Sequence, residues 1–178
     1  MVATGHNEDQ EIVRSSASEL NEYLDSEVLL WRLSNTRSML TPGSLLLALA
    51  RTHRTMDEQI VQSRELILST VYKRRVAWGK KIQKEIPMRV NQWQMLMEDY
   101  KDQGRIDGSY AYNVRVRVIL SLLLQGVDYV NAEQLTKVQV LDDVLGEMST
   151  GGDFLWESDL MEMFPQESYP YLYLSVAK

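Results

Sequence analysis

The chain of 178 residues is 44% hydrophobic and 25% charged, with a formal net charge of −6, the proportions of one globular domain with a proper core and not of a disordered chain. No cysteine is present, which excludes disulfides, thiol nucleophiles and every cysteine-based zinc or iron-sulfur centre, and is compatible with a cytoplasmic location. The first ten residues carry Glu8 and Asp9 without the basic-then-apolar order of a secretory signal, and the longest apolar run, Val118 to Leu124 interrupted by Ser121, is far short of the ~20 residues of a membrane span. A soluble protein is expected.

In chain order, residues 1–15 read as a mobile arm, with Ile12 and Val13 available to dock. Ser16-Ala17-Ser18-Glu19 matches a capping box, in which a hydroxyl and a carboxylate satisfy each other's backbone N–H groups. Leu20, Tyr23, Leu24, Glu27, Val28 and Trp31 then recur at helical spacing, predicting a first helix to about Leu33. Thr41-Pro42-Gly43 suits an N-cap followed by proline at the first helical position. The run Leu45 to Ala50 leaves that helix no polar face, which predicts burial.

Thr55-Met56-Asp57-Glu58 is a second capping box and opens a helix-forming stretch that lasts to Gln103. Its stripe of Ile60, Ile67, Val71, Trp78 and Ile82 resumes after Pro87 as Val90, Trp93, Met97 and Tyr100. A straight helix of that length would run roughly 70 Å, against a radius of gyration of about 16 Å for a compact chain of this size. Proline lacks a backbone donor and disfavours helix at the residue before it, so a kink or break is expected at Pro87.

Two glycines mark a loop over 104–108. Tyr110 to Gln125 alternates like a strand at Val114-Arg115-Val116-Arg117-Val118 but is too long for one, and its leucines favour a helix that is apolar nearly all round, the most buried of the set. Asn131-Ala132-Glu133-Gln134 starts a last helix that stops before Gly151-Gly152. The rest is aromatic and acidic and contains Pro165 and Pro170, as an extended strap would be. The reading is all-α: an irregular antiparallel bundle of five or six helices over 16–150, preceded by the arm of 1–15 and followed by an aromatic C-terminal strap over 151–178 packed on the bundle.

Three features carry candidate chemistry. Arg115 and Arg117 sit on the helix expected to be most buried, where an unpaired charge is costly. Each must meet an internal carboxylate or reach the surface, or else form, with Tyr110 and Tyr112, a pocket for a carboxylate or phosphate ligand. Lys73, Arg74, Arg75, Lys80, Lys81 and Lys84 put six cations into twelve residues without an acid, and all but Arg75 share one side of the helix. That is either a solvated face or the footprint of a polyanion; the acidic pI of about 5.0 weighs against nucleic acid. The acid-rich stretch over 138–177 is a further counterpart for it, within one chain or between two. Phe154, Trp156, Phe164, Tyr171 and Tyr173 either close the bundle or form a segment that docks on a partner.

Catalytic signatures are missing. His53 is the one histidine outside the arm and reads as a helix-end residue, not a metal ligand, and no phosphate-binding glycine loop, nucleophile elbow or metal-binding helix motif occurs. No cofactor and no metal are expected, and the balance leans away from an enzyme. The leading reading is a non-catalytic protein-protein interaction or assembly module, capable of self-association. An anionic-ligand protein or enzyme built on Arg115 and Arg117 comes second, and nucleic-acid or anionic-surface binding through Lys73 to Lys84 third.

Overall fold

The computed structural model describes residues 3–106, 108–127 and 130–175, and these are helical with two minimal hairpins of strands. They form two compact units: Met1–Glu85 with Gln125–Val127, and Ile86–Leu124 with Asp128–Lys178. The division falls between Glu85 and Ile86, inside the longest helical stretch.

The first unit starts with α1 (Ala3–Asp25). From Ala3 the expected arm is helical, because the apolar stripe begins upstream of the Ser16 box: Val13, Leu20 and Leu24 lie seven and four apart, and Val13 is fully buried. Ser16 is therefore an interior helix residue, also fully buried, and not a cap. α1 ends at Asp25 and not near Leu33, because the Ser26 hydroxyl donates to the Tyr23 carbonyl while the Tyr23 hydroxyl donates to the Leu29 carbonyl, 3.0 Å away. The released chain makes a hairpin, β1 (Trp31–Arg32) against β2 (Met39–Leu40), paired antiparallel with Trp31 opposite Leu40. Leu33 and Leu40 enter the core from it. Glu19 anchors the hairpin by accepting from Trp31 Nε1 at 2.8 Å and Ser34 N at 3.0 Å. Burial pushes that carboxyl up, but the two donors outweigh it and hold it below its ordinary range.

α2 (Pro42–Arg51) has the predicted cap: Thr41 accepts from Ser44 N, and Ser44 returns the bond to Thr41 N. Leu45, Leu47 and Ala48 are buried as expected, while Leu46 and Leu49 are only half-buried. α3 (Glu58–Lys73) is capped by Asp57 and not by Thr55, since the Asp57 carboxylate reaches both Gln59 N and Ile60 N. Arg14 meets Asp57 and Arg74 meets Asp25, so α1 and α3 point the same way. This pair is parallel where antiparallel packing was expected, because α2 takes up the reversal between them.

The break in the long helical stretch falls at Arg74 (φ −108°, ψ 24°), and α4 (Arg75–Gln103) continues through Pro87. The proline ring is exposed, while Ile86, Val90 and Trp93 on either side are at most 2% exposed. Packing of those three offsets the loss of one helical hydrogen bond.

In the second unit, α4 from Ile86 onward is joined by α5 (Tyr110–Asn113), α6 (Arg115–Gln125) and α7 (Ala132–Met148). The alternating valines are helical as expected, with an interruption at Val114 between α5 and α6. Asn131 caps α7 by accepting from Glu133 N. The strap folds back so that β3 (Thr150–Gly151) pairs with β4 (Leu174–Ser175). Gly152 makes that return possible: a Cβ there would lie 2.5 Å from Ser175 N. Gly152→Ala should therefore loosen the strap, seen as faster hydrogen exchange over 170–175 with the exchange of α3 unchanged.

Candidate functional site

The aromatics of the strap pack within their own unit. Phe164, Tyr171 and Tyr173 are buried, Phe154 and Trp156 half-buried. Trp156 donates to the Ala111 carbonyl and stands edge-on to Phe164, and the Tyr173 hydroxyl donates to the Phe164 carbonyl.

The two arginines of α6 meet different partners. Arg117 grips Asp142 of α7 through Nε (2.9 and 3.1 Å) and through a terminal nitrogen (2.7 Å), gives another N–H to Ser121 Oγ, and lies 4.5 Å over the Tyr171 ring. Burial alone would lower its pKa; the hydrogen bonds and charge of Asp142 reverse that, and the guanidinium stays charged. Trp93 Nε1 also donates to Asp142, and Tyr110 donates to the Tyr171 carbonyl. Arg115 instead lies over the exposed Tyr112 ring, 3.8 Å from its centre. Arg115, Arg117, Tyr110 and Tyr112 thus divide between a satisfied interior network and a surface stack.

The same burial predicts an alkaline limit. Tyr23, Tyr110 and Tyr171 are held above the ordinary 10.0, chiefly by loss of water; the Glu85 charge adds for Tyr23 and the Asp142 charge for Tyr110, while Tyr171, partly eased by Arg117, is pushed up to about 12. The unfolded chain releases these protons near pH 10 and the native state does not. The stabilisation is complete below pH 10 and is lost as pH rises toward 12 and beyond. Tyrosinate absorbance should rise in two phases, the later one coinciding with loss of helical circular dichroism.

The basic stretch is where residues converge around open space. The end of α1, the Arg74 break and the first three turns of α4 surround a groove of about 670 Å³, a size typical of ligand and peptide clefts. All six cations of the stripe line it, including Arg75, which sequence had set apart, and the carboxylate on its wall is Glu27. Their roles differ. Lys81 is buried: its ammonium donates to the carbonyls of Ser26 and Val28 and lies 4.3 Å from the Tyr23 ring centre. Burial, then the neighbouring Lys84, lowers its pKa, while Glu27 raises it. It closes the C-terminal end of α1 and is not a surface cation as expected. Arg74 and Lys84 make exposed pairs with Asp25 and Glu27, each worth about 0–1 kcal/mol. Lys73, Arg75 and Lys80 have no acidic partner among the described residues. Positive charge here also opposes the α4 dipole, which favours acids at a helix start, and the first turn of α4 has none.

A second feature of this face escaped the sequence reading. α3 has two apolar rows: Ile60 and Ile67 are buried, whereas Val61 (36% exposed), Leu68 (57%) and Tyr72 (76%) lie together on the opposite side, with Glu65 the one charge among them. Val76, 69% exposed, carries apolar surface past the Arg74 break onto the groove wall. The spacing of 61, 68 and 72 was visible in the sequence, but only burial could say which row faces water.

His53 sits at the end of α2 with Nδ1 3.0 Å from the Ala50 carbonyl, the helix-end position expected. Among the described residues no three His, Asp or Glu side chains come together in a way that could hold a metal ion, and no helix is long and apolar enough to cross a membrane. No family model matches this chain, and no curated protein or solved structure matches it at a significant level.

Proposed function

We propose that the chain is a non-catalytic interaction module whose α3–α4 face receives an acidic, amphipathic segment of a partner protein. The observation that carries this reading is the adjacency of two surfaces: the apolar row Val61, Leu68, Tyr72, Val76, and the three cations Lys73, Arg75 and Lys80, which have no acidic partner among the described residues. Exposed apolar rows bordered by charge mark docking surfaces, with aromatic and aliphatic anchors supplying affinity and the charges supplying orientation and on-rate. The anion pocket at Arg115 and Arg117 loses its premise, since Arg117 already holds Asp142. Nucleic acid is the weaker reading of the groove: no aromatic lines it to stack bases, and the cations from Lys73 to Lys84 span roughly 17 Å of helix at ~1.5 Å per residue.

The test uses two labelled probes, a Glu/Leu amphipathic helical peptide and a short DNA duplex, titrated over a salt series. The peptide should bind more tightly than the duplex. Lys73→Glu/Arg75→Glu/Lys80→Glu should weaken it more than tenfold, and Tyr72→Ala at least threefold. Tighter binding of the duplex, with the steep salt dependence of counterion release, would sink the reading in favour of nucleic acid. Equal peptide binding by wild type and the charge-reversed variant would sink it altogether.

A further inference from the structure

We infer that the occupant of the α3–α4 face is a second copy of this chain, which presents the outer face of α7; the inference rests on the interaction reading just given. Opposite its buried row of Val138, Leu141 and Leu145, α7 exposes Asp143 and Glu147 along the middle of its outer face, with Leu135 (45% exposed) and Val140 (55%) flanking them. No basic residue stands in its last turn.

The two faces are complementary in three respects. Acids on α7 meet Lys73, Arg75 and Lys80, which have no acidic partner among the described residues. Leu135 and Val140 meet the row from Val61 to Val76. Their lengths also agree, since 61–72 of α3 spans roughly 17 Å of helix and 135–147 roughly 18 Å at ~1.5 Å per residue. The stretch from Lys73 to Lys84 holds no acid, and 138–175 holds eight acids and no lysine or arginine. Two copies of formal charge −6 repel at long range, but screening over a Debye length of about 8 Å leaves the contacting charges to decide the outcome. Each copy carries one face of each kind, so association is head-to-tail and grows into rings or chains, unlike a two-fold dimer.

Sedimentation velocity and light scattering on the full chain test this with surface variants that leave the core untouched. Wild type should exceed 20.6 kDa increasingly with concentration, and return to it at high salt. The groove variant Lys73→Glu/Arg75→Glu/Lys80→Glu and the helix variant Asp143→Ala/Glu147→Ala should each remain monomeric. Mixed one to one, they should form dimers and nothing larger, because one intact face of each kind remains in the mixture. A chain carrying the groove reversal together with Asp143→Lys/Glu147→Lys should regain self-association. Wild type monomeric at every concentration, while still binding the Glu/Leu peptide, would overturn the inference and leave the interaction reading standing. Oligomers that survive both variants would also overturn it. Loss of peptide binding as well would mean that the underlying reading has failed.

Discussion

Arg117→Ala should destabilise the second unit by about 3 kcal/mol, the lower edge of the range for breaking a buried ion pair. The arginine side chain is 11% exposed and Asp142 23% exposed, so removing the guanidinium strands a carboxylate that water reaches only partly. Trp93 would still donate to it, which keeps the loss from the top of the range. The alanine also leaves Ser121 and the face of the Tyr171 ring without their neighbour. A paired replacement separates charge from packing: Arg117→Met with Asp142→Leu should recover part of the stability, because an apolar pair of similar volume costs no desolvation but leaves the Trp93 N–H without its acceptor. Urea unfolding followed by fluorescence and by segment-resolved hydrogen exchange checks both, with protection lost over α6 and α7 in the single variant. If the single and paired variants lost equal stability, the ion pair would not be what holds α6 to α7.

Glu85→Ala should cost the first unit about 2–5 kcal/mol. The Glu85 side chain is fully buried, accepts from Thr41 Oγ1 and Gly43 N at 2.7 Å each, and lies at the N-terminus of α2. A carboxylate there meets the positive end of the helix dipole. Its removal orphans the Gly43 N–H and takes from the Thr41 hydroxyl its shorter acceptor, the other being Ser44 Oγ at 3.3 Å, at about 1–3 kcal/mol apiece. Glu85→Gln retains one acceptor and the side-chain volume but turns an amide toward one of those donors, so an intermediate loss is expected. Hydrogen exchange at α2 is the measurement that decides. Protection at Leu45 to Ala48 should fall in the order wild type, Gln, Ala, and an unchanged α2 in the alanine variant would show that Glu85 does not hold it.

Glu85 did not stand out in the sequence, and Lys81 did so only as a surface cation, for one reason. They lie four apart on α4, a spacing that reads as an exposed i,i+4 pair, and nothing local says that α2 and the end of α1 arrive to cover them. What was legible was local: apolar periodicity, the Thr41 and Asn131 caps, the all-round apolar run of α2, and helix in place of strand at Val114 to Val118. Less legible were boundaries where two signals compete. Ser16 and Thr55 both matched a capping box, yet burial of Val13 carried α1 past the first, and the Asp57 carboxylate displaced the second.

The sequence by itself determined that this is a helical chain with a six-cation stretch and an aromatic, acidic end, because periodicity, caps and charge runs involve neighbours a few residues apart. Tertiary structure decided which of those residues meet. It sent Lys81 to backbone carbonyls, Arg117 to Asp142 and the strap aromatics into their own core, and left Lys73, Arg75, Lys80 and an apolar row of α3 facing water. A helical repeat fixes which side chains share a face. Only the packing of elements far apart in sequence fixes which face is covered.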